Sequence, residues 1–383
     1  MSDSIARFPA TDLFDSLVTP QLCVLQSVVQ TNLEAMVQIA GGESSLDRLR
    51  PHLKTHKMDA ITRMQIDRGI RHFKASTIGE LEMAAAAGAT SVLLAHQPVG
   101  EKINAFVAVC RQYPECELAV AIDDVLIAAQ IDQAAQAAGL VLNVFVDVDC
   151  GMHRTGVTIG DPLTGLISGL AGMPALRFQG LHVYDGHLHE PELELRRQGV
   201  QSILADLVTF LTVHPIDTVI VGGTPTFALW VQAVANQTSL TRWQFSPGTS
   251  TLWDWGYGES YDELPFQIAA AVLTRVISKP IGSDPPGFQR ICLDLGYKAI
   301  ASEMPLAERV RIQGLEDATI AGHSEEHLVL SLPSSHAVAV GQTFWAFPKH
   351  ICPTVSRYDR ATLVTSDPFG TTSVKIAART AIA

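Results

Sequence analysis

Lys54 stands in the run Arg50-Pro51-His52-Leu53-Lys54-Thr55-His56-Lys57, directly after an apolar stretch at 49–53 that reads as a strand. A lysine at the rim of a strand is partly desolvated. That lowers the pKa of its amine and makes it a nucleophile toward an aldehyde. His52, His56 and Lys57 add titratable groups to the same segment. The plainer local reading is a strand-end lysine facing solvent.

Other segments carry chemistry that would suit such an amine. Val221-Gly222-Gly223-Thr224-Pro225-Thr226 precedes a helical pattern, and Ser246-Pro247-Gly248-Thr249-Ser250 has a similar character. Small residues let backbone N–H groups approach an anion, and a helix N-terminus adds a favourable dipole. One such turn is only a turn; two in succession point to a phosphate-bearing ligand. Arg154 follows the acidic end of the apolar run at 144–149, where its fixed charge could face a ring nitrogen and keep it unprotonated. Pairing with Asp147 or Asp149 is the alternative. Tyr184 could pack on or hydrogen-bond an aromatic ligand, or simply pack within its strand. His182, His187 and His189 could suggest a metal, though loop histidines are commonly just solvated.

A separate signal lies in Phe347-Pro348-Lys349-His350-Ile351-Cys352-Pro353-Thr354. Two residues apart in extended chain, His350 and Cys352 face the same way. Imidazole with thiolate is a donor pair that favours zinc, and two ligands leave coordination positions open for water or substrate. A lone H-x-C also arises by coincidence. His323 and His327 offer candidate further ligands.

The elements that must position these groups alternate. Strand-like runs at 72–75, 91–95, 117–122, 141–147, 178–184, 218–222 and 243–246 follow the one at 49–53, with helix-period stretches between them. That alternation implies a parallel sheet, and eight units over this length suit a closed (β/α)8 barrel, with an open doubly wound sheet as the rival. Functional groups of such a barrel sit where strands end, and phosphate sites after the seventh and eighth strands recur. Beyond Tyr261 the pattern changes to strand-like pieces at 266–277, 290–295, 309–312, 327–332 and 343–347, with turn signals at 280–287. The expected division is a barrel at 26–260 and a mostly β, metal-binding domain at 261–383, completed by residues 1–25.

Bulk properties exclude several classes. A net charge of −12 spread along the chain argues against nucleic acid, whose binders need a basic face. The apolar runs fall short of the roughly 20 residues that span a bilayer. Residues 1–9 lack the apolar core of a signal peptide, so a cytoplasmic location is expected. The six cysteines are scattered with no CxxC pair, which speaks against a disulfide framework.

Taken in order, the segments 50–57, 149–156, 222–227 and 348–354 resemble the metal-activated, pyridoxal-phosphate enzymes of alanine-racemase-like fold. Members include D-threonine aldolase, D-serine dehydratase and D-threo-3-hydroxyaspartate dehydratase. The resemblance runs from about residue 19 to 354. It implies a Schiff base of pyridoxal 5'-phosphate on Lys54, a ring-nitrogen contact from Arg154, and phosphate contacts among Gly223, Thr224, Gly248 and Thr249. It further implies a divalent metal on His350 and Cys352 and a homodimer. Zinc is favoured there, with manganese, cobalt or magnesium as alternatives. The dehydratase branch resembles the H-x-C found here, whereas aldolases typically show H-x-D. The stretch Tyr184-Asp185-Gly186-His187 is similar to aldolases as much as to dehydratases.

The expected reaction is therefore metal-assisted dehydration of a D-β-hydroxy amino acid to a 2-oxo acid and ammonia, with Lys54 as the base for the α-proton. The first alternative is retro-aldol cleavage to glycine and an aldehyde, for which His56 is the candidate base. An amino-acid racemase and a non-catalytic pyridoxal-phosphate-binding protein are further alternatives.

Overall fold

The computed structural model describes residues 8–235, 237, 241–282, 284–366 and 369–377. The expected turn residue Ser283 and the first seven and last six residues, parts of the expected terminal segments, lie outside these. Contacts divide the chain into two compact units. One holds Leu33–Lys54 and Met58–Gly248; the other holds the described part of Met1–Asn32, with Thr55–Lys57 and Thr249–Ile376.

The first strand, β1 (Gln21–Leu25), belongs to the second unit. The first unit is built on β2 (His72–Ala75), β3 (Ser91–Leu94), β4 (Glu117–Ile122), β5 (Leu142–Asp149), β6 (Val157–Thr158), β7 (Leu176–Val183), β8 (Thr218–Val221) and β9 (Arg242–Phe245). Among the described residues the parallel order is β2-β3-β4-β5-β7-β8-β9, with the short β6 beside β5. The connections are helices such as Ile78–Ala86, Glu101–Gln112 and Val125–Ala138. Their ends are legible in the residues: Thr77 and Asp124 cap the first and third N-termini, and Gly139 closes the third in the left-handed region (φ 67°).

The stretch 49–53 is not a strand, which corrects the sequence expectation. It touches the sheet through two isolated parallel bridges, Leu49 to Phe245 on β9 and His52 to Lys74 on β2. Three backbone bonds hold it: Arg50 N to Phe245 O (2.8 Å), His52 N to Pro247 O (2.8 Å) and Lys74 N to Pro51 O (3.0 Å). Pro51 has no N–H to give, so a regular ladder cannot run through it. The segment nevertheless lies between the last strand and the first, and so closes the barrel.

Register sorts the interior into layers. Lys74 is level with Leu93, and Leu93 with Ala119; Ala121 is level with Phe145, Asp147 with His182, and His182 with Ile220. Leu93, Ala119, Ala121, Phe145 and Ile220 form a buried apolar cluster. A polar layer includes the buried Arg50, whose guanidinium donates to Gln244 Oε1 (2.8 Å), Phe73 O (3.1 Å) and Ser91 Oγ (3.2 Å). Burial pulls Arg50 down to about 9. The side chains nearest the strand C-termini are polar again, and they form the candidate site.

The second unit is a mixed sheet. It comprises β1 with β10 (Ala270–Ser278), β11 (Phe288–Leu293), β12 (Val310–Ile312), β13 (Thr319–His323), β14 (Leu328–Pro333), β15 (Thr343–Pro348), β16 (Arg360–Ser366) and β17 (Phe369–Lys375). β1 runs antiparallel to β10 and parallel to β16, so the N-terminal strand is an inner strand of a sheet made from the far end of the chain. Its apolar Leu22–Leu25 stretch is buried accordingly. Phe8 and Phe14 pack on Trp345, whose indole N–H donates to Pro9 O (2.7 Å). β13, β16 and β17 are additions to the sequence expectation; β13 is half-exposed and rich in small or polar residues, and β17 has the run Gly370-Thr371-Thr372-Ser373 at its centre. All six cysteines are free. Among the described residues no helix is long and apolar enough to cross a membrane.

Candidate active site

The rim of the barrel unit gathers cations around one aromatic ring. Tyr184 follows β7, and around its ring lie Lys54 Nζ (5.7 Å from the centroid), Lys74 Nζ (5.3 Å) and Arg154 Cζ (5.1 Å). Lys54 sits in a short 3-10 turn, Leu53–Thr55, and its N–H donates to His52 Nδ1 (3.3 Å). Arg154 is not spent on the carboxylates of its own loop. Asp149 accepts from Gly151 N, His153 N and the His153 ring, while Asp147 meets His182.

Asp147, His182 and Lys74 form a chain. His182 Nδ1 is 2.7 Å from Asp147 Oδ1, and His182 Nε2 is 3.4 Å from Lys74 Nζ. An ionised carboxylate only accepts, so the Nδ1 proton goes to Asp147 and Nε2 keeps a lone pair for the lysine. Burial, the larger cause, and the neighbouring Lys54 charge push Lys74 down to about 7. Burial also lowers His182, and it lowers His52 well below the ordinary histidine range, with Lys54 and Lys74 adding to the effect. Asp185 is buried and raised by that burial, although Trp230 Nε1 donates to its Oδ2 at 2.6 Å.

Two small-residue turns adjoin these groups. Gly222 is in the left-handed region (φ 76°), and a Cβ there would fall 2.7 Å from Trp230 Cδ1. A Cβ on Gly223 would lie 3.2 Å from Tyr184 Cε2, so a larger residue there would press on that ring. Gly248 N donates to Thr224 Oγ1 (2.9 Å), which ties the second turn to the first. Lys54, Arg154, Tyr184, Gly223, Thr224 and Gly248 thus belong to one unit. Three cations, buried Lys74, half-buried Lys54 and exposed Arg154, around an aromatic ring beside glycine turns fit a flat, phosphate-bearing aldehyde such as pyridoxal phosphate, because positive charge gathered at one place is relieved by the opposite sign.

The remaining expected site residues lie in the second unit. His350 is the N-cap of the helix Ile351–Val355, on which Cys352 sits. His350 Nδ1 is 2.7 Å from Glu303 Oε1, and Cys352 Sγ is 3.3 Å from Thr55 Oγ1 and 3.7 Å from Thr249 Oγ1. Thr249, expected at a phosphate, is therefore beside the thiol. His56 is buried in the same unit. Burial opposes the His350 charge, yet its partners Cys352, Asp254 and Glu303 outweigh it and raise the imidazole to about 9. Burial likewise pushes the Cys352 thiol up, but His350 and Thr55 leave it below the ordinary thiol range. Buried Asp254, raised to about 6 by burial, accepts from Ile351 N and Tyr257 N and anchors the helix start.

An imidazole fixed by a carboxylate and a thiol inclined to ionise suit a two-ligand metal site with open positions. No group of three or more His, Cys, Asp or Glu side chains is arranged for a metal among the described residues. His323 Nδ1 accepts from Arg309 and its Nε2 donates to Leu295 O, so both ring nitrogens are engaged away from the pair, and His327 is exposed.

Lys74 and the Asp185–Trp230 pair are functional candidates that sequence reasoning passed over, and it did not pair Asp147 with His182. A lysine between Phe73 and Ala75 in a buried strand was the available signal, since a charge rarely enters such a strand without a task.

Comparison with known proteins gives the family and the fold. The family model for the alanine racemase N-terminal domain matches residues 26–242, and that for a putative serine dehydratase domain matches residues 269–364. A D-threonine aldolase from Arthrobacter sp. is 28% identical over 356 residues, covering 90% of this chain and 89% of the relative. The D-threo-3-hydroxyaspartate dehydratase of Delftia sp. (strain HT23) is 25% identical over 366 residues, covering 91% and 94%. The solved structure of the D-threonine aldolase from Filomicrobium marinum shares the fold, with a TM-score of 0.82 at 24% identity, covering 95% of this chain and 96% of that one.

Proposed function

The chain belongs to the family of the alanine racemase N-terminal domain, and on that premise we propose that it is a pyridoxal-phosphate-dependent lyase of D-β-hydroxy amino acids, acting by dehydration. The observation that carries the choice of reaction is the pair His350 and Cys352, an imidazole beside a thiol inclined to ionise. In the resemblance stated above, H-x-C goes with the dehydratases.

Lys54 would hold the cofactor, Arg154 would face its ring nitrogen, Tyr184 would pack on its ring, and Gly223, Thr224, Gly248 and Thr249 would meet its phosphate. Bound there, pyridoxal phosphate supplies an aldehyde for the Lys54 amine and an electron sink that acidifies the substrate's α-C–H. Lys54 Nζ would take the substrate's α-proton. His350 and Cys352 would hold a divalent metal, zinc by preference, which supplies a Lewis acid for the β-oxygen. Glu303 keeps the His350 ring oriented by accepting from Nδ1. Loss of water and then hydrolysis yield a 2-oxo acid and ammonia. A homodimer is part of the same reading, and sedimentation of the purified chain tests it.

One observation favours a second reading, retro-aldol cleavage: the aldolase relative from Arthrobacter sp. is the more similar of the two relatives described. His56 would then be the base for the β-hydroxyl. Incubation with D-serine, D-threonine and 3-hydroxy-D-aspartate separates the two. Ammonia and a 2-oxo acid in equal amounts support dehydration; glycine with an aldehyde as the main products refutes it.

A further inference from the structure

We propose that Lys74 is a second cofactor-contacting lysine, which meets the phenolic oxygen of pyridoxal phosphate and makes its binding depend on that oxygen. The proposal rests on the reading that Lys54 carries the cofactor. The closing stave at 49–52 has two neighbours in the barrel unit. On one side is β9, with the glycine turns at 222–226 and 246–248 at the β8 and β9 ends; on the other is β2, whose Lys74 is the bridge partner of His52.

Pyridoxal phosphate has a fixed order of groups around its ring. The aldehyde carbon lies between the phosphate-bearing arm and the phenolic oxygen, and the ring nitrogen is opposite. With the aldehyde at Lys54 and the phosphate arm at the β8 and β9 turns, the phenolic oxygen falls on the β2 side. Arg154, the third cation on the Tyr184 ring, is left for the ring nitrogen.

The state of Lys74 agrees with this placement. It is 2% exposed, and the charged and titratable groups facing it are Lys54, His52, Asp147, Arg154, His182 and Asp185. His182 takes one of its three donor directions at Nε2. The other cations disfavour its proton, and a phenolate at hydrogen-bond distance reverses that preference. Asp147 behind His182 holds the imidazole in the tautomer that accepts from Lys74, so Lys74 keeps its other hydrogens for the cofactor.

The test compares three aldehydes by the absorption of the lysine-bound form: pyridoxal phosphate, its analogue lacking the 3-hydroxyl, and pyridoxal, which lacks the phosphate. Wild type, Lys74→Met, Lys74→Gln and Lys74→Arg are titrated with each. The expected result is that Lys74→Met and Lys74→Gln bind pyridoxal phosphate about 10-fold or more weaker than wild type. The deshydroxy analogue should show no such difference, and Lys74→Arg should keep most of the affinity.

In the two neutral variants the absorption change that reports proton loss from the C=N nitrogen should move up by about one pH unit, because a nearby cation disfavours that proton. Equal weakening for the deshydroxy analogue overturns the proposal. A difference that disappears with pyridoxal assigns Lys74 to the phosphate and also overturns it. If neither neutral variant folds, wild type alone decides: it must prefer pyridoxal phosphate over the deshydroxy analogue by about 10-fold. Failure of wild type to form a borohydride-fixable adduct with any of the three refutes the Lys54 reading instead.

Discussion

Replacing Lys74 by Met should stabilise the cofactor-free protein near neutral pH, and the gain should fade as pH rises. The unfolded chain keeps the Lys74 proton up to the ordinary 10.5, whereas burial and Lys54 bring the folded value down to about 7. Between these values unfolding takes up a proton, so wild-type stability rises with pH across that window. Below pH 7 both states are protonated and the full cost is present. The linkage relation sets the penalty on the order of 4 kcal/mol at pH 7 and about 2 kcal/mol at pH 9. Met carries neither charge nor titration. It leaves His182 Nε2 without its 3.4 Å partner, which costs about 1–3 kcal/mol at every pH. The absolute difference between the two proteins therefore mixes two effects, and its slope isolates one. Urea unfolding at pH 7, 8 and 9 should show the difference, variant minus wild type, falling by roughly 2 kcal/mol over that range. A difference that is flat between pH 7 and 9 refutes the reasoning, because it means Lys74 titrates alike in folded and unfolded chain.

Other substitutions probe the layers around this one. Trp230→Phe removes the donor to Asp185 Oδ2 and should lower the urea-derived stability by about 2–4 kcal/mol, against little change if that carboxyl found water instead. Arg50→Met should cost about 3 kcal/mol by the same measurement, since Gln244 Oε1 and Phe73 O lose a buried donor. Cys352→Ser should cut the zinc retained after dialysis, with affinity down about 100-fold, and elemental analysis reads it directly; unchanged retention argues that the thiol is not a ligand.

Much of the barrel was legible because its strands are buried on both faces and so read as short apolar runs. β4 falls where its residues place it, and the turns after β8 and β9 announce themselves by glycine. The stave at 49–53 was misread for a definite reason: apolar residues suggest a strand, but Pro51 breaks the ladder and only long-range partners define the segment. Lys74 was passed over because its significance is tertiary. Nothing within His72–Ala75 tells that Asp147, His182, Lys54 and Arg154 will converge on it.

The weak closing stave has a consequence for the order in which the molecule assembles. β2 through β5 pair with close sequence neighbours, but Leu49 waits for Phe245, about two hundred residues downstream. On a ribosome adding roughly 5–20 residues per second, Lys54 emerges many seconds before its own rim exists. During that interval its amine is an ordinary exposed one, open to any aldehyde in solution and held by nothing. Its fixed place beside Lys74 and Tyr184 belongs to the finished ring.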